Sequence, residues 1–167
     1  MPERLVNALD RARRQTVRLV CDLDDVMFYE QPAETAHNAA WIVGHLLLFD
    51  AYIADALNAA AQSGSIDERY ETAFGRGSSP RASGEIMSRE NLLLRFDEIR
   101  TVLVARIGMM GEADLDAANP EPQTAKSLPT VRELLEYLLW HEGYHAGQLS
   151  HLRKVLGLPR VGTVFLE

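Results

Sequence analysis

Residues 130–159 read TVRELLEYLLWHEGYHAGQLSHLRKVLGLP, and this stretch decides the fold. Thr130 followed by Glu133 is a capping-box pattern, in which the hydroxyl and the carboxylate satisfy backbone N–H groups at a helix start. Gly157 followed by Pro159 supplies the stop, since glycine tolerates the left-handed turn that ends a helix and proline cannot continue one. Between these signals Leu134, Leu138, His141, His145, Gln148, Leu152 and Val155 recur at spacings of three and four, which gives a helix one inward face. At about 1.5 Å per residue, a helix from Val131 to Leu156 is long enough to traverse a small bundle.

Working outward, three more segments carry helical periodicity. The first runs from Pro2 to Phe28, with Leu5, Leu9, Ala12, Thr16, Leu19, Leu23 and Val26 inward and Arg11, Arg13, Arg14 and Arg18 off the stripe. Gln31-Pro32 ends it. The second runs from Asn38, an N-cap residue, to Ala61, with Trp41, His45, Leu48, Tyr52 and Ala56 inward. The third runs from Glu85 to Met109 and carries Leu92, Phe96, Ile99 and Leu103. Loops are expected over 62–84, rich in glycine and serine, and over 111–129, which contains Pro120, Pro122 and Pro129. A connection as long as the first is unusual in a small bundle. No segment alternates like a half-buried strand. The expectation is an all-α, four-helix bundle forming one domain over residues 1–167.

Composition narrows the function classes. The chain has 47% hydrophobic and 25% charged residues, ordinary for a globular protein that buries a core. A formal charge of −7 argues against a cationic face for nucleic acid or anionic lipid, and 7% aromatic residues are few for a base-stacking surface. Cys21 is the only cysteine, which excludes an intrachain disulfide and a thiolate-rich zinc site. The amino terminus runs straight into charged amphipathic sequence without a signal-peptide pattern. Apolar runs such as Leu46-Leu47-Leu48-Phe49 fall far short of the roughly 20 residues that span a bilayer. A cytoplasmic protein with no nucleic-acid or membrane partner is expected.

Three of the five histidines lie on inward faces. His141 and His145 are one turn apart on the last helix, so their rings leave the same face as neighbours. His45 sits mid-stripe on the second helix. A lone histidine on an apolar face is usually a hydrogen-bonded core residue, and three histidines satisfying one another is the simplest structural alternative. Each buried imidazole left without a partner costs about 1–3 kcal/mol, and a metal removes that cost by taking one nitrogen from each ring. His45, His141 and His145 are therefore the candidate metal ligands. Neutral imidazoles without thiolate favour Zn²⁺ or Ni²⁺, with Fe²⁺ or Mn²⁺ also accepted. Three protein ligands leave a coordination position open for water or substrate.

His141-Glu142-Gly143-Tyr144-His145 also spells the H-E-x-x-H pattern of zinc proteases, and His151 falls where the longer signature places a third ligand. Helix phase opposes this. Six residues past His145 is about 240° around the axis, so His151 shares no face with the pair unless the helix breaks, and the sequence there continues as helix. His151 is then a solvated residue, and Glu142 is expected to be exposed or to support a ligand rather than to act as a general base.

The segments His37-Asn38-Ala39-Ala40-Trp41-Ile42-Val43-Gly44-His45-Leu46 and His141-Glu142-Gly143-Tyr144-His145-Ala146-Gly147-Gln148-Leu149, followed by Leu152-Arg153 and Leu156-Gly157-Leu158-Pro159, resemble the DinB/YfiT-like superfamily of metalloenzymes. Trp-x-x-Gly-His-Leu and His-x-x-x-His-x-Gly-Gln are that family's recurrent marks, and helix order and length agree over nearly the whole chain. The resemblance implies a four-helix bundle, often a homodimer, with a metal on His45, His141 and His145. Relatives include transferases using low-molecular-weight thiols such as bacillithiol or mycothiol, a mycothiol-dependent isomerase and damage-inducible proteins. A thiol S-transferase acting on a small electrophile is the leading expectation, with a metal-dependent hydrolase or a non-catalytic metal-binding stress protein as alternatives.

Several other residues carry expectations. Gln148 is placed to hydrogen-bond a ligand or bound water, or to pack at the bundle end. Tyr52 and Tyr144 pack near the site or supply an acid or hydrogen-bond function there, with packing the simpler role, and His37 serves as a cap or faces solvent. Gly44 and Gly147, inside helices where glycine costs about 0.5–1 kcal/mol, point to close helix approach. Cys21 lies off the inward stripe, and the apolar tail Val161–Leu166 is placed against an interface or the core.

Overall fold

A computed structural model describes residues 2–33, 36–59, 68–80 and 86–162. Among them are seven helices and no strand: α1 Pro2–Val20, α2 Asp25–Tyr29, α3 Ala39–Ala56, α4 Glu68–Phe74, α5 Arg89–Gly108, α6 Glu112–Leu115 and α7 Val131–Val155. The four long helices pack as a ring, α1 against α5 and α7, and α3 against the same two. The all-α expectation holds. The tail beyond Gly162 lies outside the described residues.

The last helix forms as its signals require. The Thr130 hydroxyl accepts from the Glu133 N–H, the Glu133 carboxylate accepts from the Thr130 N–H at 2.9 Å, and Gly157 takes φ +72° at the far end. Asn38 caps α3, accepting from the Trp41 N–H at 2.8 Å.

Boundaries differ where acidic or tertiary contacts intervene. The expected first helix, Pro2–Phe28, breaks after Val20. Asp22, Asp24 and Asp25 would sit at a helix C-terminus, where the dipole disfavours negative charge. Instead, Asp24 caps a new helix by accepting from the Met27 N–H at 2.8 Å. The second helix ends at Ala56 rather than Ala61, with Asn58 in the left-handed region at φ 54°. The third starts after its cap, Ser88, rather than at Glu85. The stretch expected as loop over 62–84 contains α4, and the one over 111–129 contains α6. Residues 60–67 and 81–85 lie outside the described residues.

The core is split. One apolar cluster holds Leu19, Val20, Trp41, Ile42, Leu46, Leu47, Leu92, Phe96, Leu149 and Leu152; the other holds Leu9, Ile53, Ala54, Leu103, Ile107, Leu134, Leu135 and Leu138. Between the two clusters each long helix buries charged or polar side chains: Arg13 on α1, Asp50 on α3, Arg100 on α5, and His141, Glu142 and His145 on α7. A polar layer therefore crosses the bundle at mid-height. Among the described residues, α3 is the one helix long and apolar enough to cross a membrane, and most of it is buried inside the bundle.

Candidate metal centre

The polar layer has two parts. On one side, α3 and α7 bring the three inward histidines together. The Nε2 of His141 lies 3.1 Å from that of His145 and 3.3 Å from that of His45. All three offer ligand atoms within 4.8 Å of one another. Nitrogens bound to one tetrahedral zinc at 2.0–2.1 Å are separated by about 3.3 Å, so the cluster is compatible with a divalent metal.

The outer nitrogens explain the orientation. His45 Nδ1 lies 2.8 Å from the Phe74 carbonyl oxygen, which can only accept, so the proton is on Nδ1 and the Nε2 lone pair faces inward. His145 Nδ1 likewise donates to Gln148 Oε1 at 2.8 Å. Such outer hydrogen bonds fix the tautomer that a metal needs. With both neighbouring Nε2 atoms unprotonated, one proton on His141 Nε2 could satisfy only one of them. His141 Nδ1 is buried without a partner. Three converging Nε2 atoms with at most one proton among them are a natural seat for a cation. Burial, reinforced by the neighbouring imidazoles, lowers the pKa of His141 to about 3. Burial and His45 lower that of His145 to about 4, although Gln148 opposes the shift. His45 is lowered too, first by burial. The rings are thus neutral at physiological pH, as ligation requires.

The α4 segment is built into this centre. An added Cβ on Gly44 would lie 2.3 Å from the Phe74 ring, so only glycine lets that ring, and with it the carbonyl that orients His45, settle against α3. The expected close approach at Gly44 is therefore real. At Gly147 an added Cβ meets nothing within 4 Å, so close packing does not explain that glycine. Trp41 stacks on His45 at 4.7 Å, and its Nε1–H donates to Ser78 Oγ at 2.8 Å.

A cavity of about 820 Å³ opens onto the histidines and is walled by Trp41, Phe49, Tyr137, Trp140 and Tyr144. Tyr52 also lines it. Burial, then the adjacent Glu71 carboxylate, raises the Tyr52 phenol to about 12, so it remains a neutral donor toward Glu71. His37 stays outside the triad and is no cap, since Asn38 takes that role; its ring stacks on Trp41 at 3.7 Å. His151 is exposed, and α7 runs unbroken past it, as helix phase requires. Cys21 is exposed.

The second part of the layer was not legible in the helical stripes. Arg13, expected off the inward face, is 3% exposed, and Glu142, expected exposed or beside a ligand, is fully buried. Arg100 donates to both Asp50 oxygens at 2.7 and 2.8 Å and to Glu142 at 2.6 Å. Arg13 donates to Glu142 at 2.9 and 3.0 Å and to Asp50 at 2.7 Å. Burial would raise the Glu142 pKa, but Arg13 and Arg100 outweigh it and hold the group at about 2. Glu142 is thus a locked anion, unsuited to accept a proton. One signal was available: Asp50 is a lone charge in the otherwise apolar run 39–54, and a charge there needs a buried counterion.

The DinB superfamily model matches residues 8–149, which is 142 of 167 positions. The chain belongs to the DinB superfamily. No curated protein matches it. The matched region includes α3 and α7 up to Leu149, and so all three clustered histidines.

Proposed function

We propose that this DinB protein is a metal-dependent enzyme that transfers a low-molecular-weight thiol to a small electrophile. Its metal, Zn²⁺ or Ni²⁺ before Fe²⁺ or Mn²⁺, is held by His45, His141 and His145. The observation carrying this reading is the convergence of three Nε2 atoms on an open cavity. Bound there, a divalent ion would lower the pKa of a thiol or water in its open coordination position.

The chain's own residues supply the rest. Phe74 and Gln148 hold two imidazoles in the ligating tautomer. The aromatic walls offer an apolar electrophile a surface that excludes water from one side of the reacting pair. The two carboxylates nearest the centre are both engaged, Glu142 by arginines and Glu71 by Tyr52. Proton removal from the nucleophile therefore falls to solvent or to the substrate itself.

Metal analysis of purified protein, followed by conjugation of a fluorogenic bimane electrophile with a panel of thiols, tests the proposal. Stoichiometric metal, thiol-dependent turnover and loss of both in His141→Ala are expected. Protein that neither contains nor takes up Zn, Ni, Fe or Mn would overturn the metal site. Metal-loaded protein that hydrolyses esters but transfers no thiol would identify a hydrolase. Loaded protein inert in both assays would be a non-catalytic metal-binding protein.

A further inference from the structure

The segment after α4 contains an arginine for which the metal centre has no use. Gly75-Arg76-Gly77 forms a tight turn that needs both glycines. A Cβ on Gly75 would meet the Glu71 carbonyl oxygen at 2.4 Å, and Gly77 takes φ +86°. The turn is anchored on both sides. Before it, the Phe74 ring fills the space above Gly44 and the Phe74 carbonyl accepts a hydrogen bond from His45 Nδ1–H. After it, Ser78 accepts from Trp41 and donates to the Ala73 carbonyl at 2.9 Å. These contacts present Arg76 to the cavity in a defined place rather than on a loose loop.

Arg76 is the one arginine or lysine lining that cavity, and it has no ion-pair or hydrogen-bond partner among the described residues. Glu71, the cavity's carboxylate, is occupied by Tyr52. The same cavity is lined by a ladder of rings on α7. Tyr137, Trp140 and Tyr144 follow one another at centroid distances of 5.4 and 5.5 Å, with Trp140 58% and Tyr144 52% exposed. Aromatic rings lining a cavity favour a flat apolar body, and a guanidinium with no partner among the described residues favours an oxyanion.

We infer that the molecule bound here is an organic anion, with a flat apolar body against Tyr137, Trp140 and Tyr144 and a carboxylate-like group paired with Arg76. Arg76 is then a specificity-determining residue of the substrate cavity. This rests on the reading of the cavity as the substrate site of a metal-dependent enzyme.

The protein carries its own reporter, because its two tryptophans, Trp41 and Trp140, both line this cavity. The experiment titrates naphthoate and its neutral counterpart, naphthalenemethanol, by tryptophan quenching, using full-length protein in zinc-loaded and chelator-treated forms with metal content measured separately. Naphthoate should bind more tightly than the alcohol in both forms. Arg76→Gln should weaken naphthoate about tenfold and leave the alcohol unchanged, as expected for loss of one charge-assisted pair. Arg76→Lys should restore part of the difference, and Trp140→Ala, followed by Trp41 emission, should weaken both probes. Equal binding of the two probes, no quenching by either, or equal losses in Arg76→Gln would overturn the inference. Failure to take up zinc would remove the metal reading while the chelated arm still decides the role of Arg76.

Discussion

The two halves of the polar layer are built from adjacent residues and solve the same problem in opposite ways. Glu142 enters a charge-balanced set in which two arginines donate to two carboxylates across all four long helices. His141, its neighbour in sequence, enters an open set of neutral rings whose lone pairs meet with no sufficient donor. Charge buried in such a network is costly to break by removing one member. Acceptors buried in an open one wait for a cation. The difference separates the part of the layer that holds the bundle from the part that faces the cavity.

The largest expected effect tests the closed half. Arg100→Met leaves Asp50 and Glu142 sharing Arg13, and removing one member of a buried ion network costs about 3–5 kcal/mol. Urea unfolding should show that loss. A loss under 1 kcal/mol would mean that the network is not closed in solution.

The open half should respond to metal instead. Zinc at about a thousand times its Kd should stabilise the wild type by roughly 4 kcal/mol, and His141→Ala should abolish the increment while leaving the chelated protein folded. An increment unchanged in His141→Ala would break the assignment of this ring.

Acid should dismantle the two halves in turn. A histidine with a depressed folded pKa adds stability present above its unfolded value of 6.5, and that stability is lost as pH falls toward about 4 for His145 and about 3 for His141. The Glu142 contribution is present above its unfolded value of 4.5 and is lost only as pH falls toward about 2. Metal-free protein should therefore weaken first below pH 6.5, and His141→Ala should flatten that first decline in a pH series of urea midpoints.

Smaller effects sharpen the comparison. Gly44→Ala forces the Phe74 ring away and should cost about 1–3 kcal/mol, with zinc affinity falling because the carbonyl that orients His45 moves too. Thr130→Ala removes the cap at the far end of α7 and should cost about 1 kcal/mol with zinc affinity unchanged. Equal effects of the two on zinc would show that the site senses overall stability rather than local geometry.

Much of this was legible in advance because it is written in local chemistry. The caps at Asn38 and Thr130, the stop at Gly157, the pairing of His141 with His145 and the rejection of His151 all follow from spacing along one helix. The addition of His45 needed only an inward stripe. What was misplaced depended on partners far away in the chain. Arg13 and Glu142 lie 129 residues apart, and each reads as an exposed charge until the other is seen. Helix α4 was expected as loop because its reason to form is the space Gly44 leaves for Phe74.

The sequence by itself determined the helical class, the family and the three histidines, since periodicity, capping and short motifs act within a turn or two of chain. Only the tertiary structure decided which charges are buried, which tautomers the histidines hold and where Arg76 stands. Those outcomes depend on counterions, carbonyls and cavities contributed by other helices, and no local pattern encodes the distance between them.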